Sequence, residues 1–273
     1  MKKNTEKSRS KKILKLGSLL HVNQDGFLVS DLKKKTIQPK WEKAVKKAVS
    51  ILKKQIPGIY SVYVRGSVAT GKAIEYVSDV DFLVVTQKQT RDVYKQRVFC
   101  SLAVLAEEFP FVTRFDVGYY TAKDIVNVKE RVLVKLRSVC VYGKDISHNI
   151  PVLRPGRDVC VTLLGLEKEI EQTLLEIEEG YYTKDNTRAM CVWMMKRLVR
   201  GGLELVSERD GVFTRDLYLC YENFSVHYPK YKKYSYQALE LAIYPKDNVP
   251  KIKKIIKTFG GFLIKESQRI GLI

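Results

Sequence analysis

Gly66 and Ser67 stand ahead of Asp79-Val80-Asp81 with eleven residues between them. That spacing joins two kinds of chemistry. In an extended strand, residues at i and i+2 point to the same face, so Asp79 and Asp81 offer their carboxylates side by side. Such a pair binds one hard cation or two neighbouring ones, and Mg²⁺ prefers a few carboxylates plus substrate phosphates to an all-protein cage. The apolar run Phe82-Leu83-Val84-Val85 anchors the strand in a core and leaves the acids near its exposed start. A glycine after a strand lets backbone approach a ligand closely. Ser67 adds a hydroxyl and a helix N-terminal amide, both suited to phosphate, and Ser78 adds a hydroxyl beside the cation. A third acid is expected from an adjacent strand. Asp116 interrupts the apolar pattern from Phe111 to Gly118 and fits that place, either binding a second cation or accepting the nucleophile's proton. Taken alone, Asp116 also reads as a strand-end carboxylate paired with Arg114. Together the parts suit an in-line displacement at an α-phosphate, with metal neutralising the developing charge as pyrophosphate leaves.

The same glycines carry a decoy. Gly66 to Lys72 fits G-x-x-x-x-G-K, the phosphate-binding loop of a large class of NTPases. The next residue is Ala73, which has no hydroxyl for Mg²⁺, and Asp79 arrives too soon for a full helix to follow the loop.

These residues need elements to hold them. Leu19–Val22 and Phe27–Val29 flank Asn23-Gln24-Asp25-Gly26, which predicts a hairpin. Trp41–Gln55 reads as a helix with Trp41, Val45, Ala48 and Leu52 on one face, ended by Pro57-Gly58. Strands are expected at Ile59–Val64, Val80–Thr86, Phe111–Tyr119 and Val139–Tyr142. A short helix with a loop is expected over Val68–Tyr76, and a helix over Arg91–Phe109. This alternation argues for a mixed sheet with helices packed on it. The pattern then turns helical over Val159–Glu179, Lys184–Val206, Thr214–Val226, Tyr234–Tyr244 and Val249–Ser267. The expected division is a basic N-terminal tail and hairpin over 1–40, a domain over 41–147, and a helical domain over 157–273, the boundary marked by Pro151, Pro155 and Gly156.

Composition narrows the class. The chain of 273 residues is 45% hydrophobic and 29% charged, a globular balance. Its net charge of +19 is uneven: residues 1–56 hold 16 basic and 4 acidic side chains, leaving +7 for the rest. That segment is either a polyanion-contacting surface or a solvated tail and lysine-rich helix face. Five widely spaced cysteines with no C-x-x-C read as reduced, mostly buried thiols of a cytoplasmic protein. The three histidines lack zinc-site spacing. No run of 18 apolar residues occurs, so no membrane span is expected.

The pattern Gly66-Ser67-x-Ala69-x-Gly71 followed by Ser78-Asp79-x-Asp81 resembles the polymerase-β-like nucleotidyltransferase superfamily, over roughly residues 40 to 145. In layout, including Val141-Tyr142-Gly143-Lys144-Asp145, it is most similar to aminoglycoside adenylyltransferase-type members. The resemblance implies an α+β fold: a mixed-sheet nucleotidyltransferase domain followed by an all-α C-terminal domain. It implies Mg²⁺ as cofactor and ATP or another NTP as co-substrate, with Gly66, Ser67 and Ser78 near the nucleotide and Asp79, Asp81 and Asp116 as metal and catalytic acids. It further implies a nucleotide lying between the domains, with Lys196, Arg197 and Arg215 contacting the triphosphate. Lys196 and Arg197 also read as a solvated helix face.

Three functions follow as expectations. The first is transfer of a nucleoside monophosphate, AMP in the leading case, to a hydroxyl of a small molecule such as an aminoglycoside. A polycationic acceptor needs acidic lining, which Glu167, Glu169, Glu171, Glu176, Glu178 and Glu179 could offer. The second is transfer to RNA or protein, with Tyr228, Tyr231, Tyr234 and Tyr236 among Lys230, Lys232 and Lys233 able to stack bases. The same tyrosines also read as half-buried rings at a helix turn. The third is an inactive nucleotide-binding or interaction module, against which the intact set of Ser67, Asp79, Asp81 and Asp116 argues.

Overall fold

The computed structural model describes residues 13–273. The basic tail expected over residues 1 to about 12 lies outside them. The chain divides into two compact units, one of residues 21–161 and one of residues 162–273 joined by residues 13–20.

The first unit opens with β1 (His21–Val22) and β2 (Leu28–Val29), paired antiparallel as the hairpin sequence requires. Asn23 closes the turn, its Oδ1 accepting the Asp25 and Phe27 amides. Helix α1 (Pro39–Gln55) starts with proline, whose missing N–H is no loss at a helix N-terminus. Its buried face is Trp41, Ala44, Val45, Ala48, Val49 and Leu52. Strand β3 (Ile59–Arg65) follows, then a single turn, α2 (Gly66–Ala69), then β4 (Val80–Thr86), α3 (Asp92–Glu108), β5 (Phe115–Thr121), α4 (Val128–Arg137) and β6 (Ser138–Gly143). The sheet order is β5-β4-β3-β6, with β4 and β5 parallel and the other pairs antiparallel.

Alternation along the strands builds two apolar layers. Val62, Val64, Phe82 and Val84 pack with the buried faces of α1 and α3. Tyr63, Leu83 and Val85 pack on the opposite side with Val134 of α4, Ile146 and Ile150. Tyr63 also ties the strand to the segment after β6. Its hydroxyl accepts the Ile146 amide at 2.6 Å and donates to Asp145 Oδ1 at 3.0 Å. Burial pushes the phenol above its usual range, so it remains a donor.

Three details differ from the sequence expectations. The expected helix over Val68–Tyr76 is only the turn at Gly66–Ala69. Gly71 at φ +67° ends it, and a Cβ there would lie 2.6 Å from the Thr36 carbonyl oxygen. The strand expected from Phe111 begins at Phe115. Upstream, Phe111 is a core residue packed edge-on to Trp41 with centroids 5.1 Å apart. The backbone there bonds the loop before β4, through Tyr76 N to Phe111 O and Thr113 N to Ser78 O. Helix α4 went unread, because its Val-Leu-Val run carries strand-like residues in a helical position.

The second unit is helical: α5 (Leu163–Glu178), α6 (Lys184–Glu204), α7 (Ser207–Asp210), α8 (Leu217–His227), α9 (Lys232–Ile243), α10 (Val249–Ile255) and α11 (Gly261–Arg269). A π turn at Ile256–Gly260 links the last two. Helix α5 starts under a buried carboxylate. Glu204 accepts the Thr162 and Leu163 amides at 2.9 Å, satisfying donors a helix start leaves open. Residues 13–20 join this unit through Leu20 N to Phe213 O and Thr214 Oγ1 to Ser18 O, both at 2.8 Å. Among the described residues no helix is long and apolar enough to cross a membrane. None of the five cysteines forms a disulfide; Cys160, Cys191 and Cys220 are buried, Cys140 half-buried and Cys100 exposed.

Tyr63→Phe removes the acceptor of a buried amide while leaving the core volume intact. It should cost about 1–3 kcal/mol of stability, read as a lower midpoint in urea unfolding with an unchanged slope.

Candidate active site

The acids meet because the strands pair in register. Asp116 on β5 lies directly opposite Asp81 on β4, which lies opposite Arg65 on β3, with Ser138 of β6 beyond. Asp79 precedes β4 by one residue, on the side of Asp81. Each acid places one carboxylate oxygen within 4.8 Å of the others. Among the described residues this is the one such group of metal-ligating side chains.

Gly66 makes room for the central acid. It sits at φ +74°, and a Cβ there would lie 3.0 Å from Asp81 Oδ2. An alanine would meet both a strained backbone and the carboxylate. Next to it, Ser67 belongs to the single turn whose Ala69 is fully buried. Thr70 Oγ1 bonds the Gly66 and Ser67 carbonyls at 3.1 and 3.2 Å, which fixes this turn. Ser78 is engaged in the loop: its Oγ accepts the Ile74 amide at 2.9 Å, and its own amide bonds the Ile74 carbonyl at 2.8 Å.

Two guanidinium groups that sequence reasoning did not place in the site neutralise the acids. Arg114 Nη2 is 2.5 Å from Asp116 Oδ2 and 3.7 Å from Asp79 Oδ2. Arg65 Nη2 is 3.6 Å from Asp81 Oδ1. The signal for Arg65 is its position at the strand end, directly before Gly66; the pairing of Arg114 with Asp116 is the alternative that the sequence offers. Despite Arg65, the Asp81 carboxyl is raised to about 6. Burial is the largest cause; the pull of Arg65 opposes it, and the charges of Asp79 and Asp116 add to it.

This donor set fits a hard divalent cation. Carboxylate oxygens are the ligands Mg²⁺ takes, and three of them crowded together need positive charge. Asp79 and Asp81, which share a strand face, would hold it with phosphate oxygens. Asp116 stands close enough to join a second cation or to receive a proton.

The remaining sequence-predicted residues belong to the other unit. Arg197 is half-buried, its guanidinium paired with Glu169 through Nε and Nη2. The Arg215 carbonyl accepts from Arg200 Nε at 3.3 Å, and the charge of Arg215 acts on buried Glu204. Lys196 is half-buried on α6. Of the acids expected to line an acceptor pocket, Glu169 is taken by Arg197, Glu176 by Tyr182 and Gln172, and Glu178 by Lys253. Two of the four tyrosines are inner packing: Tyr228 stacks on Phe224, and Tyr231 on Phe262 with centroids 3.7 Å apart.

Residues 45–144 match the family described as "Nucleotidyltransferase domain". The solved spectinomycin adenyltransferase AAD(9) from Enterococcus faecialis, with ATP and spectinomycin, aligns at a TM-score of 0.52 and 12% identity, covering 81% of this chain and 98% of that one. At that identity the likeness is one of fold. A chain from the complex of tri-AMPylated Shewanella oneidensis HEPN toxin with MNT antitoxin aligns at a TM-score of 0.26 and 13% identity, covering 52% of this chain and 98% of that one. No curated protein matches the chain significantly.

Burial of the Asp81 carboxylate, with two acids beside it, carries a stability penalty that a cation or a neutral substitution relieves. Because the Asp81 carboxyl is raised in the folded state, ionising it costs stability as pH rises through about 6. Asp81→Asn should therefore melt a few degrees above wild type in EDTA at pH 8. Wild type alone should gain stability from Mg²⁺, and that gain should fade as pH drops below about 6. Differential scanning fluorimetry measures both; an equal Mg²⁺ shift in the variant would remove Asp81 from the metal site.

Proposed function

We propose that the chain, whose residues 45–144 match a nucleotidyltransferase domain, is an enzyme that transfers AMP from ATP, with Mg²⁺, to a hydroxyl of a small molecule. The observation that carries this reading is the gathering of Asp79, Asp81 and Asp116 within 4.8 Å beside Gly66 and Ser67. The acceptor class is supported by the shared fold with an adenyltransferase that was solved with ATP and spectinomycin.

Asp79 and Asp81 would hold Mg²⁺, which when bound neutralises phosphate charge and lets pyrophosphate depart. Gly66 keeps the space over Asp81 clear of side chain, and the turn carrying Ser67 offers backbone N–H and hydroxyl donors to phosphate oxygens. The acceptor hydroxyl oxygen forms a bond to the α-phosphorus, and the bond from that phosphorus to the α–β bridging oxygen breaks. The hydroxyl proton passes to Asp116 when that residue acts as base. Displacement of Arg114 from Asp116 and Asp79 accompanies loading, since the guanidinium and the incoming cation compete for the same oxygens. In this reading Ser78 steadies the loop that delivers Asp79.

The test is incubation with ATP labelled in its α-phosphate, Mg²⁺ and a panel of aminoglycosides, other hydroxylated small molecules, tRNA and lysate protein. Label should appear on a small molecule. Asp79→Asn should lower transfer by about 10³-fold or more, as loss of the charge that stabilises a transferring phosphoryl group does. Label on RNA or protein would redirect the acceptor; full activity in Asp79→Asn would remove the metal assignment.

A further inference from the structure

The two arginines beside the acids are not equivalent. The Arg114 side chain is 68% exposed and reaches Asp79 and Asp116 from the loop before β5. The Arg65 side chain is 27% exposed and grows from the last residue of β3, opposite Asp81 in the sheet register. Its backbone is therefore fixed by ladders on both sides, to β4 and to β6. Its Nη2 faces Asp81 Oδ1 at 3.6 Å, beyond a normal hydrogen bond. Its Nε is buried and has no hydrogen-bond partner. Buried donors almost always find an acceptor, so one left open beside the clustered acids calls for an explanation.

We propose that Arg65 is a phosphate ligand of the nucleotide, serving as the counter-ion of Asp81 only until metal and nucleotide arrive. The proposal rests on the transferase reading above. Nε and one Nη of a guanidinium form the planar fork that binds a phosphate through two parallel hydrogen bonds. In Arg65 that fork is half-engaged, with Nη2 loosely on Asp81 and Nε open. Oxygens that share a Mg²⁺ ion at about 2.1 Å lie roughly 3 Å apart in an octahedral shell. A triphosphate oxygen bound to the cation on Asp81 thus falls within reach of a guanidinium already at 3.6 Å from that carboxylate. The exchange is balanced in charge: the cation takes over Asp81, and Arg65 turns to the anionic phosphate. Metal alone must compete with Arg65 for Asp81, whereas metal with nucleotide gives the arginine a new partner. Nucleotide and metal should consequently bind with mutual help.

Calorimetric titration of the full-length protein tests this without turnover. The probe is the α,β-methylene analogue of ATP in excess Mg²⁺, with Mn²⁺ alone as a second titrant. Arg65→Met should weaken analogue binding by about 10- to 100-fold, the range for losing hydrogen bonds to a charged group. The same variant should bind Mn²⁺ alone at least as tightly as wild type, because a competing charge is gone. Arg65→Lys, which keeps charge but loses the fork, should fall between them, and it serves as well if the methionine variant folds poorly. Wild-type analogue affinity in both variants, with Asp81→Asn impaired, overturns the role of Arg65 and leaves the transferase reading standing. A wild-type protein that binds no analogue overturns both. Loss of analogue and Mn²⁺ binding together in Arg65→Met and Arg65→Lys would show a merely structural residue and also overturn the proposal.

Discussion

Buried like charge at one end of the sheet is the constraint around which the first unit is arranged. Register alone puts Asp116 opposite Asp81, and strand alternation puts Asp79 beside it. Asp81, the most buried of the three, has its carboxyl raised chiefly by that burial, with the charges of Asp79 and Asp116 adding to it against the pull of Arg65. Nothing in apolar packing rewards such an arrangement. It persists because the strands that impose it are locked by cores on both faces, with Phe82 and Val84 on one side and Leu83 and Val85 on the other. The domain thus spends stability from its interior to keep an electrostatically unfavourable edge, a pattern expected where charge is destined to meet a cation.

The surrounding residues follow from that edge. Gly66 is required by proximity as much as by its φ of +74°, since a methyl group would sit 3.0 Å from an Asp81 oxygen. Arg65 and Arg114 place positive charge against the acids, the charge that Mg²⁺ would bring in the proposed reaction. Ser78 acts on geometry, fastening the Ile74–Ser78 loop that leads into β4. Lys196, Arg197 and Arg215 lie on a unit with its own electrostatic order, in which Glu204 starts α5 and Glu169 holds Arg197.

Much of this was legible in the chain itself. Glycine, serine and paired aspartates at fixed spacing report chemistry directly, because each type has few structural reasons to occur there. The helix with Trp41, Val45, Ala48 and Leu52 and the strand Val80–Thr86 were equally plain, since their apolar periods of 3.6 and near-continuous burial are strong signals. What escaped was set by tertiary contacts. Phe111 looked like strand because it is apolar and aromatic, yet its backbone bonds a loop and its ring fills the core against Trp41. The Val-Leu-Val run of α4 carries β-branched residues, but packing against the sheet holds it helical. The place of Arg65 depends on register, which sets it opposite Asp81 and which the sequence pattern does not specify. Of the two readings of the tyrosines near residue 230, half-buried rings at a helix turn fits Tyr228 and Tyr231, whose faces Phe224 and Phe262 occupy.

The central claim is that Asp79 and Asp81 hold the cation that carries the nucleotide phosphates. Diffraction at the manganese edge, from crystals grown with Mn²⁺ and a non-hydrolysable ATP analogue, examines it directly. The account predicts an anomalous peak within about 2.2 Å of carboxylate oxygens of both residues and of a phosphate oxygen. A peak bound by nucleotide alone, with both carboxylates still turned to Arg65 and Arg114, would contradict it.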